Sequence, residues 1–309
     1  MDEKSIIGWL LEGDIAIQFQ VHRDLLNDDR KDLQHRIAGE GWGHLILSKR
    51  KSNSHWGDRF YQPKWISTHY TLLDLRNLNL HPENQLVQET INLILNSEKA
   101  ADGGIQLGPS TFQHSDICVN GMFLNYASYF KSQEKQLCSI VDILLHEIMP
   151  DGGFNCRTLR SGARHSSLHS TISVLEGLSE FVKTGYSYRM DDIKKAIKSA
   201  EAFILLHQLF ISDRTGEIIN KDFLKLTYPC RWKYDILRAL DYFQYSGHEW
   251  DDRMAPAIDV ILKKRNKEGL WNTQAAYPGQ VHLIMEQAGK PGRWNTLRAL
   301  RVLKHFNIT

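Results

Sequence analysis

The feature that most constrains this chain is a four-residue turn that occurs twice, each time ahead of a matching apolar segment. Asp102-Gly103-Gly104-Ile105 returns 49 residues on as Asp151-Gly152-Gly153-Phe154. Paired glycines supply backbone freedom that a side chain would obstruct. The aspartate before them can hold turn amides or cap the helix that follows. After the first copy comes Ser115–Leu124 and after the second Ser166–Leu175, and at this offset of 51 Phe130 also matches Phe181. Looser relatives are Glu40-Gly41-Trp42-Gly43, His55-Trp56-Gly57-Asp58 and Glu268-Gly269-Leu270-Trp271. A turn on its own specifies little, but one that recurs at a fixed period with its helix implies stacked units of one supersecondary type.

Apolar residues recur at three- and four-residue steps over 5–11, 15–26, 69–80, 86–97, 117–130, 135–148, 168–183, 191–209, 233–245, 252–264 and 294–306. Such spacing predicts amphipathic helices, and few stretches alternate with the two-residue period of strands. Proline and glycine fall between these segments, at Pro63, Pro150, Pro229, Pro278-Gly279 and Pro291-Gly292. A turn, a loop, an inner helix and an outer helix, repeated, close into a ring in which inner-helix starts rim a cavity. The expected fold is therefore all-α, an α/α toroid, in a single domain spanning 1–309 with residues 1–40 packing on the ring as N-terminal helices. With 42% hydrophobic residues the chain can bury a large core.

Composition excludes several function classes. The 38 Lys and Arg against 36 Asp and Glu are interleaved and leave no basic face for nucleic acid. No apolar run approaches the ~18 residues of a membrane-spanning helix, and the acidic start Met1-Asp2-Glu3-Lys4 is unlike a secretory signal. Cys118, Cys138, Cys156 and Cys230 form no CxxC pair, which fits reduced thiols and a cytoplasmic location. GxxxxGK[ST], GxGxxG and GxSxG are absent.

In the repeat register Cys118 coincides with His169, and the upstream copy Lys64–Leu73 places His69 at about the same point. The Asp-Gly-Gly turns resemble the Gly-Gly-Phe turns of the prenyltransferase and terpenoid (squalene) cyclase superfamily, and Arg265–Trp271 resembles a degenerate copy of its Q…GxW repeat. That resemblance covers residues 40–306. It implies an apolar, isoprenoid-type small-molecule substrate in the central cavity. Asp116-Ile117-Cys118 with His169 resembles the zinc ligand set of protein prenyltransferase β subunits, so the resemblance implies Zn2+ on Asp116, Cys118 and His169 and zinc-assisted prenyl transfer. The sequence departs from the family in lacking an Asp-x-Asp-Asp acid motif, and it names no partner subunit.

The remaining candidates have two readings each. His69, Asp116, His169 and Asp235 are proton donors or acceptors for catalysis, or they are caps and core polar groups. Trp65, Trp232 and Trp294 follow Lys64, Arg231 and Arg293. Such pairs are aromatic and cationic walls for substrate, or packing wedges with rim ion pairs. Arg157 and His165 belong to a cationic loop that is either an anion-binding mouth or a solvated surface. Tyr70 and Tyr234, with Asp235, His69 and Arg231, would serve a carbohydrate-active toroid, a lyase or a glycosidase. A third reading is a toroid that binds ligand or protein without chemistry. Cavity polarity separates them: polar walls fit sugars, apolar walls fit isoprenoids.

Overall fold

The structure is a computed structural model, and it describes residues 2–107, 114–156 and 162–308. Among these residues backbone pairing outside helices is limited to isolated bridges, with no sheet, so the chain is all-α. The helices are α1 (Glu3–Leu11), α2 (Ile15–Asp24), α3 (Lys31–Arg36), α4 (Gly41–Leu47), α5 (Thr68–Asn77), α6 (Gln85–Ser97), α7 (Ile117–Tyr129), α8 (Glu134–His146), α9 (Leu168–Lys183), α10 (Met190–Leu206), α11 (Ile236–Ser246), α12 (Ala255–Lys263) and α13 (Arg293–His305). No helix of the described residues is long and apolar enough to cross a membrane. The chain groups into two compact units. Unit 1 comprises Met1–Lys49, Asn77–His81 and Leu205–Thr309, and unit 2 comprises Arg50–Arg76 and Pro82–Ile204.

In unit 2, helices buried on almost every face alternate with amphipathic ones. Eleven residues of α7 and twelve of α9 are buried. In contrast, α6 buries one stripe through Val87, Ile91 and Ile94, and α8 does so through Leu137, Val141 and Leu144. Two glycines let α7 and α9 approach closely. A Cβ on Gly177 would stand 2.3 Å from the Gly121 carbonyl oxygen, and one on Gly121 would stand 2.6 Å from that of Ser173. The Asn125 side chain then donates across the seam to the Glu176 carbonyl at 2.9 Å.

The repeat has a definite backbone signature, present four times among the described residues. Ser54, Gly103, Gly152 and Gly269 all have left-handed φ, at 65°, 91°, 92° and 88°. Each stands two residues before a buried apolar residue: Trp56, Ile105, Phe154 and Trp271. The amide N–H of that apolar residue donates to a polar side chain on the next buried helix. The acceptors are Thr68 Oγ1 at 3.0 Å, Asn120 Oδ1 at 2.7 Å, Thr171 Oγ1 at 3.0 Å and Thr296 Oγ1 at 3.1 Å. The carbonyl one residue earlier accepts a backbone N–H from Lys51, Ala100, Met149 and Asn266. The two aspartates do as their position implies. Asp102 accepts from the N–H groups of Gly104 and Ser115, and Asp151 accepts from that of Ser166.

This signature moves two of the degenerate copies. In unit 2 the turn is Asn53-Ser54-His55-Trp56 rather than His55–Asp58, because the left-handed residue is Ser54. Glu40–Gly43 is no copy: Glu40 stands at the N-cap of α4, and the Trp42 N–H is held by Asp14 Oδ2 at 2.7 Å. It also corrects the ring position of His69. Thr68 is the equivalent of Asn120 and Thr171, so His69 lies one helical turn deeper than Cys118 and His169.

Candidate functional site

Unit 1 holds an open cavity of about 410 Å³ lined by Asp222, Lys225, Thr227, Lys233, Gln274, Ala275 and Tyr277. Its walls come from the irregular segment before α11 and from the chain between α12 and α13, two stretches whose periodicity is poor and whose prolines break helices. Lys233 Nζ lies 4.9 Å from the ring centre of Trp232 and 5.2 Å from that of Tyr277, so an ammonium group stands between two aromatic rings. Asp222 pairs with Lys225 at 2.6 Å. Burial pushes the Tyr277 phenol up, and the nearness of Cys230 and Asp235 pushes it further. At neutral pH that hydroxyl stays protonated, and it is hydrogen-bonded with Thr227.

Beneath these walls is a buried polar layer. Asp235 caps α11 through the Arg238 N–H at 2.8 Å and accepts from the Cys230 thiol at 3.3 Å. Burial raises its carboxyl above the usual range, with Arg298 and the Arg238 N–H opposing. Burial likewise pushes the Cys230 thiol up to about 12. Arg298 also pairs with Asp241 at 3.1 Å, and Asp241 takes both Arg301 arms at 2.5 Å. Arg301 reaches on to Asp24 at 3.0 Å. Against the burial that would raise it, Arg301 and Arg298 hold the Asp241 carboxyl below its usual value. Planar guanidinium forks suit such a buried relay, because each can satisfy two carboxylates at once.

Several sequence candidates belong to this layer and not to the cavity wall. Tyr234 is buried and spends its hydroxyl on the Leu209 carbonyl. Arg231 is buried, and its carbonyl accepts from Arg238 at 3.1 Å. Trp294 is buried in a stack with Tyr228, ring centres 4.8 Å apart, and its backbone N–H donates to Glu286. Arg293 lies over the Trp9 ring and donates to the Trp9 carbonyl. Arg293 and Trp294 make packing contacts, whereas Trp232 lies beside the cavity residue Lys233. The cavity residues Asp222, Lys225, Thr227, Gln274 and Tyr277 escape sequence reasoning, since they lie on loops without a motif.

Unit 2 gathers a second cluster. His69 is fully buried, with Nδ1 3.2 Å from the Tyr126 hydroxyl, and burial lowers it to about 3. It is a neutral core imidazole. The Tyr70 and Tyr61 hydroxyls meet at 3.0 Å, and burial lifts Tyr61 to about 12. Trp65 packs edge-on against Tyr70 at 4.9 Å beneath the Lys64 ammonium. Cys118 stands in the first turn of α7 beside Cys156. His169 and Asp116 are half-buried, and the Asp116 side chain makes no capping bond to α7. Among the described residues no three His, Cys, Asp or Glu side chains are grouped to hold a metal ion. The structure sets Cys118 against the Cys156 thiol, with Asp116 close enough to raise it further. His165 is exposed, and Arg157 lies outside the described residues.

No protein-family model matches the sequence, and no curated protein matches it. Two solved structures are similar over nearly the whole chain. One is a polysaccharide lyase, 13% identical, with TM-score 0.51, covering 97% of this chain and 95% of the other. The second is a glycosyl hydrolase family 88 protein from Bacteroides vulgatus, 11% identical, with TM-score 0.52, covering 98% and 97%. They bear out the fold class, an all-α α/α toroid. They also correct the resemblance drawn from the Gly-Gly turns. Neither of these two is a prenyltransferase or a terpenoid cyclase, and the isoprenoid reading falls with that resemblance. The turns that suggested it belong to the helix-pair repeat of this chain, and a fold does not by itself fix the chemistry it carries.

Proposed function

We propose that this chain is a carbohydrate-active α/α toroid enzyme, a lyase or a glycosidase, that takes its sugar in the unit 1 cavity. The observation that carries the reading is the lining: two ammonium groups, a carboxylate, an amide, a threonine hydroxyl and a phenol around about 410 Å³. That volume is in the range of small-molecule sites, which are about 300–1,000 Å³. An isoprenoid chain would strip water from these groups and return no hydrogen bonds. A sugar returns them at each hydroxyl, and Tyr277 offers a face for a pyranose ring. The names of the two similar structures support the same class.

With Lys225 paired to Asp222, Lys233 leaves the lining one net positive charge, which suits an acidic sugar. Asp222 is the single carboxylate among the described lining residues. Hydrolysis of a glycosidic bond ordinarily needs two carboxylates on either side of it. Elimination needs a base at the carbon next to the acid group and a proton donor at the leaving oxygen. Asp222 is the lining group that would take the proton from carbon, and Tyr277, held protonated, fits the donor, so one carboxylate suffices and the lining favours the lyase among the two. Affinity electrophoresis through gels containing acidic or neutral polysaccharides tests the binding half of this reading. Retardation by an acidic polymer, weakened in Lys233→Ala, is the expected result. Unretarded migration in every gel would overturn it.

A further inference from the structure

Two thiols stand side by side in unit 2, where the carbohydrate reading has no use for them. Cys118 is the second residue of α7, and its backbone N–H donates to Cys156 Sγ at 2.9 Å. Cys156 follows the Asp151 turn, 38 residues on. Ser170, in the first turn of α9, fixes it from the other side. The Cys156 N–H donates to Ser170 Oγ at 3.2 Å, and the Ser170 hydroxyl donates to Cys156 Sγ at 3.5 Å. The Cys118 thiol donates to the same sulfur. Both residues are half-buried, and both are free thiols. An amide, a hydroxyl and a thiol thus converge on one sulfur, with the second sulfur in contact. Repeat geometry produces this pairing, because Cys118 opens one buried helix and Cys156 precedes the next.

We propose that Cys118 and Cys156 form a reversible dithiol–disulfide site, oxidised by a small peroxide. The Cys156 sulfur attacks one peroxide oxygen. The O–O bond breaks, a sulfenic acid forms, and one water leaves. The Cys118 sulfur then attacks the Cys156 sulfur; the S–S bond forms, the S–O bond breaks, and a second water leaves. Two thiols and one hydrogen peroxide give one disulfide and two waters. Two equivalents of an external thiol reverse it. The converging donors on Cys156 assign it the attacking role, and Cys118 the resolving one.

The test uses the full chain, reduced and desalted, then treated with hydrogen peroxide and digested without reductant. A peptide pair linked through Cys118 and Cys156 is expected by mass spectrometry. Titratable thiols should fall from four to two and return after dithiothreitol. In Cys118→Ser, Cys156 should persist as a sulfenic acid that dimedone traps. In Cys138→Ser and Cys230→Ser the link should form as in the unaltered chain. Four surviving thiols, links through Cys138 or Cys230, only intermolecular disulfides, or unlinked sulfinic acid at Cys156 would each overturn the proposal. The unaltered chain alone decides it if a variant fails to fold.

Discussion

The Phe154 amide donates to the Thr171 hydroxyl at 3.0 Å, and the same bond joins Trp271 to Thr296 and Trp56 to Thr68. A hydroxyl at this position locks the turn onto the start of the helix that follows it. Replacing Thr171 by valine keeps the shape and leaves a buried N–H without its partner, at a cost of about 1–3 kcal/mol. Urea unfolding of Thr171→Val and Thr296→Val should show that loss, with the slope unchanged. Midpoints equal to the parent's would contradict the shared role.

The α7–α9 seam should tolerate no methyl group. Gly177→Ala places Cβ against the Gly121 carbonyl, which belongs to a helix backbone and cannot swing aside. Overpacking of this kind costs about 1–3 kcal/mol. Thermal unfolding should fall by several degrees in Gly177→Ala, whereas Gly8→Ala, which meets nothing within 4 Å, should not fall.

Asp241 should be the most costly single charge to remove. Asp241→Asn leaves Arg298 and Arg301 short of their shared carboxylate, and breaking a buried pair in this way costs about 3–5 kcal/mol. Because the folded-state pKa of Asp241 is depressed below 3.8, its stabilisation is present above that value and is lost as pH falls through the folded pKa. The stability difference between parent and variant should therefore be constant at neutral pH and shrink in strong acid.

His69 should produce a loss of the same sign, beginning at a higher pH. Its pKa is lowered from 6.5 to about 3 in the folded state, so the unfolded chain binds the extra proton throughout that window. Stability should decline as pH falls below 6.5, with up to about 1.4 kcal/mol lost per pH unit from this residue. His69→Gln should flatten the slope between pH 6.5 and 4, read by chemical unfolding at a series of pH values. An unchanged slope would mean that the imidazole is not buried neutral.

The helix pairs were legible in the sequence because two copies kept both glycines and their aspartate. Periodicity placed the helices for the same reason that α6 and α8 bury one stripe each. The register was harder to read. Ser54 takes the left-handed place that glycine holds elsewhere, and Asn120 replaces threonine as the acceptor, so the backbone repeats where the letters do not. That is why His69 seemed equivalent to His169. The family resemblance failed because Gly-Gly turns report how the helix pairs connect and not what the cavity holds. The candidate site was almost illegible: Lys233 and Tyr277 are brought together by loops, and no spacing along the chain encodes their meeting. The Arg293–Trp294 pair was visible but served packing, as Tyr228 on Trp294 shows.

The central claim is that the unit 1 cavity acts on a sugar chain, and turnover tests it most directly. The purified chain would be incubated with a panel of acidic and neutral polysaccharides while new reducing ends and unsaturated, ultraviolet-absorbing ends are counted. The account predicts chain cleavage of an acidic polymer, with unsaturated ends appearing in step with reducing ends. Tyr277→Phe should lower kcat about 10²–10⁴-fold, the usual contribution of one proton-transfer group. Reducing ends without unsaturation would assign hydrolysis in place of elimination. No cleavage and no binding across the panel, with the fold intact, would contradict the account.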